Sequence, residues 1–166
     1  MLPKLIITDI DGVWTDGGMY YDETGNEFKK FNTSDSAGVL FCRQLNIPVA
    51  IITGENVKSV QARAKKLKID HLFLGITDKL TCATNLCKEM GITLDEVGFI
   101  GDDLYDMKLL QAVGLSACPA NAPKYVKKIC KLNLEVKGGE GAFRAFIEDI
   151  LVSNNLLEKV LSSFID

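Results

Sequence analysis

Short aliphatic runs alternate with amphipathic stretches along the chain, and this alternation constrains the fold more than any single motif. Residues 5–8 (LIIT), 48–53 (PVAIIT), 71–75 (HLFLG), 97–101 (VGFIG) and 115–119 (LSACP) are apolar at successive positions, so both faces of each run need cover. Between them, Val57, Val60, Ala64 and Leu67 recur at helical spacing, and Lys58, Arg63, Lys65, Lys66 and Lys68 occupy the other faces of that helix. Leu80, Ala83, Leu86 and Met90 form a second such stripe, with Gly91 as its stop signal. Buried strands alternating with amphipathic helices predict an α/β architecture, a Rossmann-like doubly wound parallel sheet.

The 166 residues fit one domain spanning 1–166, on a scale of about 100–200 residues per domain. Two segments depart from the alternation. In GGMYYDETGNEFKKFN, β-prone runs flank Glu23-Thr24-Gly25-Asn26, which predicts a hairpin over about 17–32, too short to be a domain of its own. Toward the end, LNLEV and Gly138-Gly139-Glu140-Gly141 open a tail over about 138–166. It carries a helix with Phe143, Phe146, Ile147 and Ile150 on one face, then a last amphipathic helix with Leu157, Val160, Leu161 and Phe164.

Hydrophobic content of 47% and charged content of 25% exclude a disordered chain. A net charge of -3 supplies no general attraction to nucleic acid or to an anionic membrane, so neither is expected as a partner. The opening MLPKLIITD meets an acid too soon for a signal-peptide core, and no window reaches the length of a membrane span. Five cysteines without CxxC or metal-ligand spacing fit reduced thiols, and a cytoplasmic location is expected.

Ligands of open parallel sheets bind beyond the carboxyl ends of the strands, which directs attention to the residues just after each run. Asp9 and Asp11 follow the first, two apart on an extended chain and so able to converge on one spot. Thr53-Gly54-Glu55 follows the second, Lys79 begins the helix after the third, and Gly101-Asp102-Asp103 with Asp106 follows the fourth. Like charges crowded at one edge repel unless a cation or a proton is shared. Oxygen ligands of this kind suit Mg²⁺ where phosphate is the substrate. Asp9 is then ionised as ligand and nucleophile, and Asp11 can carry a proton, while Thr53 and Lys79 offer a hydroxyl and a positive charge to a phosphoryl group. The lone His71 and the scattered cysteines make no zinc set.

DIDG at 9–12, Thr53 closing a strand, Lys79, and GDDLYD at 101–106 resemble, in order and spacing, the four motifs of the haloacid dehalogenase-like phosphatases. The resemblance implies that Asp9 is the nucleophile of an aspartyl-phosphate and Asp11 the general acid/base. It also implies Asp102 as a magnesium ligand together with Asp9 and the Asp11 backbone carbonyl, Thr53 and Lys79 as phosphoryl clamps, and Asp103 and Asp106 as supporting acids. DIDGVWTDGG, the hairpin, KKFNTSDSAG and GGEGAFR resemble the capless branch that acts on phosphorylated 3-deoxy-2-keto sugar acids. Neither insertion point has room for a cap domain. The branch implies a homotetramer in which hairpins form a central barrel and neighbouring subunits cover each site.

Octulosonate 8-phosphate phosphatases of that branch usually carry Arg after the Thr-Gly, whereas this chain has Glu55, with Arg63 and Lys66 following. Those three residues resemble the nine-carbon branch, and the expectation is a nonulosonate 9-phosphate, with octulosonate 8-phosphate as the alternative. Arg63 and Lys66, three apart on a helix, would serve a sugar-acid carboxylate across a subunit boundary, and Thr53, Gly54, Glu55 and Lys79 would complete the substrate site. Two readings of other classes stand further off. A phospho-accepting receiver domain needs its acceptor acid after the third strand, where only Asp78 stands, and a silent oligomerisation module does not need every catalytic position filled.

Overall fold

The computed structural model describes residues 2–165. A six-stranded parallel sheet forms its centre: β1 (Leu5–Thr8), β4 (Val49–Ile52), β5 (His71–Phe73), β6 (Val97–Ile100), β7 (Leu115–Cys118) and β8 (Leu132–Asn133). Their spatial order is β5-β4-β1-β6-β7-β8. Strand β1 is therefore interior, with Ile6 opposite Val49 on one side and opposite Gly98 on the other. The intervening helices are α1 (Asp35–Gln44), α2 (Lys58–Leu67), α3 (Lys79–Met90), α4 (Met107–Ala112), α5 (Lys124–Lys127), α6 (Ala142–Ser153) and α7 (Leu157–Ser162).

The two faces of the sheet feed separate cores, as the period-two geometry of strands requires. Ile6, Val49, Ile51 and Ile100 point into one, filled by α1, α2 and α6; Leu5, Ile7, Ala50, Ile52 and Phe99 point into the other, filled by α3 and α4. In the first core Trp14 stacks on Phe143 at 4.8 Å and donates its indole N–H to Thr8 Oγ1 at 2.9 Å. Helix α1 can approach α6 because Gly38 has no Cβ, which would stand 2.9 Å from the Phe143 ring.

The first predicted strand coincides with β1, and the other four are one or two residues longer than the observed ones. Of the trimmed residues, Thr53 and Gly101 belong to the loops that form the site. Strand β8 lies in the LNLEV segment that periodicity leaves unassigned, because two residues are too few to show a period. The predicted hairpin is present as a short antiparallel pair, β2 (Tyr20–Tyr21) and β3 (Glu27–Phe28), with Tyr20 opposite Phe28. Its turn is held by Asp22, whose Oδ1 accepts from the backbone N–H groups of Thr24 (2.8 Å) and Asn26 (2.9 Å). The Gly138-Gly139 segment lies flat on the loop after β1: Gly139 N–H donates to the Val13 carbonyl at 3.0 Å, and a Cβ at Gly138 would stand 1.8 Å from the Gly12 carbonyl oxygen. Phe143, Phe146, Ile147 and Ile150 are buried; in the last helix Val160 is buried, while Phe164, predicted to share that helix, lies in the turn after it, half exposed with its ring edge toward Phe41.

Candidate active site

Strands β1, β4 and β6 are neighbours, so the loops leaving their carboxyl ends meet. A cleft of about 410 Å³ opens there, lined by Asp9, Asp11, Thr53, Gly54, Glu55, Lys79, Asp102, Asp103 and Asp106, with Gly12, Gly17 and Tyr105. A larger concavity of about 690 Å³ lies between the N-terminal ends of β6, β7 and β8 and the end of α6, but it brings together no comparable set of reactive groups.

Asp9 is placed by the sheet itself, since its backbone N–H donates to the Ile100 carbonyl at 3.0 Å and continues the β1–β6 ladder one residue past the strand. Lys79, the first residue of α3, is buried with its Nζ 2.9 Å from Asp9 Oδ1 and 2.6 Å from Asp106 Oδ1. The second oxygen of Asp106 accepts the backbone N–H groups of Asp102 (2.8 Å) and Asp103 (3.1 Å), so this buried acid shapes the loop after β6. Gly101 is required there, because a Cβ would come within 2.5 Å of Asp106 Cγ. Gly12, with a positive φ of 73°, leaves room for Asp102, whose Oδ2 would be 1.9 Å from a Cβ at that position.

Oxygens of Asp9, Asp102 and Asp106 lie within 4.8 Å of one another. Burial, reinforced by the charge of Asp106 and opposed by Lys79, pushes the Asp9 carboxyl up to about 7. Burial and then the charges of Asp9, Asp106 and Asp103 push Asp102 up to about 8. One lysine does not balance three crowded acids, and a hard divalent cation on oxygen ligands would. The donor set therefore fits Mg²⁺, with Asp9 and Asp102 as the carboxylates with an oxygen to spare for it, since both oxygens of Asp106 are already engaged, one by Lys79 and the other by two amides.

Thr53 is buried at the end of β4, its backbone N–H bonded to the Phe73 carbonyl at 3.1 Å. Gly54 and Glu55 follow it into solvent at the cleft. Two predicted substrate residues are elsewhere. Arg63 turns back onto its own chain, donating to the Asn32 carbonyl (3.2 Å) and to Ser36 Oγ (2.9 Å), with its guanidinium over the Trp14 and Phe31 rings at 5.9 and 5.8 Å. Lys66 is exposed on α2. Neither lines the cleft of its own chain.

Sequence reasoning missed Lys29. Its Nζ is 2.6 Å from Asp11 Oδ1 and 2.7 Å from Glu27 Oε1. Burial works to lower its pKa, but Asp11 and Glu27 together hold it above the usual lysine value. The available signal was the alternation of Glu27, Phe28 and Lys29, which sends the first and third side chains to one side of the hairpin. The rim residue Tyr105, 70% exposed, was missed as well, and GDDLYD gives no hint that this ring faces the cleft.

A family model described as haloacid dehalogenase-like hydrolase matches residues 75–145. The 3-deoxy-D-manno-octulosonate 8-phosphate phosphatase of Haemophilus influenzae is 38% identical over 148 residues, covering 89% of this chain and 82% of that protein. The enzyme of the same name from Yersinia pestis is 37% identical over 155 residues, 93% of this chain and 83% of its own. The crystal structure of the Moraxella catarrhalis enzyme with magnesium ion, phosphate ion and KDO superposes with a TM-score of 0.94 at 35% identity, covering 98% and 93% of the two chains. The cobalt-bound Haemophilus influenzae structure gives 0.88 at 37% identity, covering 92% and 90%.

Proposed function

Because this chain belongs to the haloacid dehalogenase-like hydrolases, in the family of the 3-deoxy-D-manno-octulosonate 8-phosphate phosphatases, we propose that it hydrolyses octulosonate 8-phosphate with Mg²⁺. The observation that carries the chemistry is the meeting of Asp9, Lys79 and the Asp102 loop in one cleft, with Asp11 beside them. An oxygen of Asp9 attacks phosphorus in line as the bond to the sugar oxygen breaks, and Asp11 gives its proton to that oxygen, releasing the sugar acid. Water then loses a proton to Asp11 and attacks the aspartyl-phosphate, releasing inorganic phosphate and restoring Asp9. Lys79 and Thr53 hold the transferring oxygens, where fixed positive charge and donors count most. Mg²⁺ on Asp9, Asp102 and the Asp11 carbonyl would neutralise charge on the phosphoryl group.

The expectation of a nine-carbon substrate gives way to the eight-carbon one, since the similar enzymes carry the octulosonate name at 35–38% identity over most of this chain. On the other side stand Glu55, Arg63 and Lys66, the three residues that resemble the nine-carbon branch. Steady-state kcat/KM with Mg²⁺ on the eight-carbon 8-phosphate and a nonulosonate 9-phosphate, side by side, tests the choice. A preference of tenfold or more for the first is expected, and the reverse preference would restore the nine-carbon reading. Phosphate release from neither would leave the silent module.

Assembly belongs to the same proposal. Met19, Tyr20, Tyr21 and Phe28 expose 45–59% of their surface on a hairpin with only two residues per strand, which supports packing of hairpins from several copies in a homotetramer. With α2 against a neighbour, Lys66 would face that neighbour's cleft, whereas Arg63 would first have to leave its aromatic seat. All five cysteines are free thiols, which supports a reducing compartment such as the cytoplasm, and no helix among the described residues is long and apolar enough to cross a membrane.

A further inference from the structure

Burying an ammonium group is costly unless charge and hydrogen bonds compensate it, so a lysine hidden on an otherwise exposed hairpin needs a reason. The Lys29 side chain is 1% exposed, although Tyr21 and Phe28 on the same hairpin are 59% and 54% exposed. Both of its partners are carboxylates. Glu27 lies two residues back on the same extended segment, and Asp11 lies across the gap on the loop after β1. Lys29 is the protein group that holds the Asp11 carboxyl. Among the described residues, Asp11 Oδ1 accepts from Lys29 and Oδ2 accepts from no protein donor, while Asp11 itself lines the cleft.

We propose that Lys29 is a positioning residue for the acid/base step. Braced by Glu27, it fixes one oxygen of Asp11 and so fixes where the other oxygen points, toward the leaving oxygen and later toward water. The inference rests on the reading of Asp11 as the general acid/base. It makes the hairpin a working part of the catalytic site in each chain, whatever it also does in assembly.

A double-mutant cycle on kcat with octulosonate 8-phosphate tests this. Asp11→Asn alone should cost about 10²–10⁴-fold, the usual worth of a positioned acid/base. If it leaves turnover normal, the underlying reading fails before Lys29 is considered. Lys29→Met should lower kcat at least about tenfold with KM changed by less than about threefold, and Lys29→Arg should recover part of the loss. In the Asp11→Asn background, Lys29→Met should add less than about twofold, because there is no carboxylate left to aim. Losses that multiply would show that Lys29 acts apart from Asp11 and would overturn the inference, as would an unchanged kcat in Lys29→Met. Should that variant misfold, Glu27→Gln runs the same cycle: a smaller loss that vanishes in the Asp11→Asn background supports the role, and one that multiplies removes it.

Discussion

Lys79 and Lys29 each stand between two carboxylates, Asp9 and Asp106 in one case and Asp11 and Glu27 in the other, at distances of 2.6–2.9 Å. The first group is a product of the whole sheet. Asp9 comes from the end of β1, Lys79 from the start of α3 and Asp106 from the turn after β6, and the three meet only when those elements are in register. A further acid, Asp102, crowds the same spot and leaves a surplus of negative charge for a cation to balance. The second group hangs on a two-stranded hairpin and the first loop, outside both cores. Two clusters alike in chemistry therefore differ in what they stabilise. One is part of the fold, and the other orients a single side chain.

The sharpest test of that contrast is Asp9→Asn, which should lower turnover by at least about 10⁴-fold, as loss of a nucleophile does. Because burial and Asp106 already disfavour the Asp9 anion, the thermal midpoint of the metal-free variant should stay level or rise. A lower midpoint would mean that the pair with Lys79 outweighs the burial of Asp9. Next comes Lys79→Met, which strips Asp9 and Asp106 of their shared cation. Urea unfolding should show a loss of about 3–5 kcal/mol, the cost of leaving buried charge unpaired, alongside a kcat lower by about 10²–10³. Lys29→Met should lose less than half of that stability, since Asp11 is 28% exposed and water can replace its partner. Equal losses would erase the distinction between the clusters.

The surplus of acid in the first cluster also sets a pH dependence. Asp9 near 7 and Asp102 near 8 lie above their unfolded values, so the metal-free folded state holds more protons than the unfolded chain between about pH 4 and pH 8. Their contribution is complete at the acid end of that window and is lost as the pH rises through 7 and 8. The midpoint measured in EDTA should therefore fall across the window relative to the midpoint in Mg²⁺, which binds the ionised acids and favours the alkaline side. Parallel curves would show that the cation does not bind these carboxylates. The smallest effect on the fold belongs to the hairpin: Tyr21→Ser with Phe28→Ser should change monomer stability by no more than about 0.5 kcal/mol per site while dissociating the proposed tetramer in sedimentation velocity. An unchanged sedimentation coefficient would place the subunit contact elsewhere.

The same contrast explains what could be read from the chain. The sheet and the residues at its edge were legible, because buried parallel strands need unbroken aliphatic runs and the groups that follow them fall at one edge by topology. Lys79 was found for that reason. Lys29 was not, since its role depends on how a short hairpin folds back over the first loop, and Glu-Phe-Lys alternation is also what a solvated hairpin would carry. The seat of Arg63 was hidden for a related reason. A cation on a charged helix face looks free, and only the packed structure reveals the Trp14 and Phe31 rings beneath it. The need for Gly12 was not legible, because it comes from Asp102, an acid that approaches from a distant part of the chain, and Gly101, read as the end of a strand, is hemmed in by Asp106 in the turn that follows.

The interior position of β1 also bears on how the molecule is made. Ile6 leaves the ribosome long before Gly98, the residue that pairs with it on its second side. During translation of the intervening segment, lasting roughly 5–20 s at about 5–20 residues per second, one edge of a buried, largely aliphatic strand stays unsatisfied and open to mispairing. Incomplete chains released in that interval would hold neither Asp102 nor Asp106, and so would be a burden on chaperones without ever being a source of stray hydrolysis.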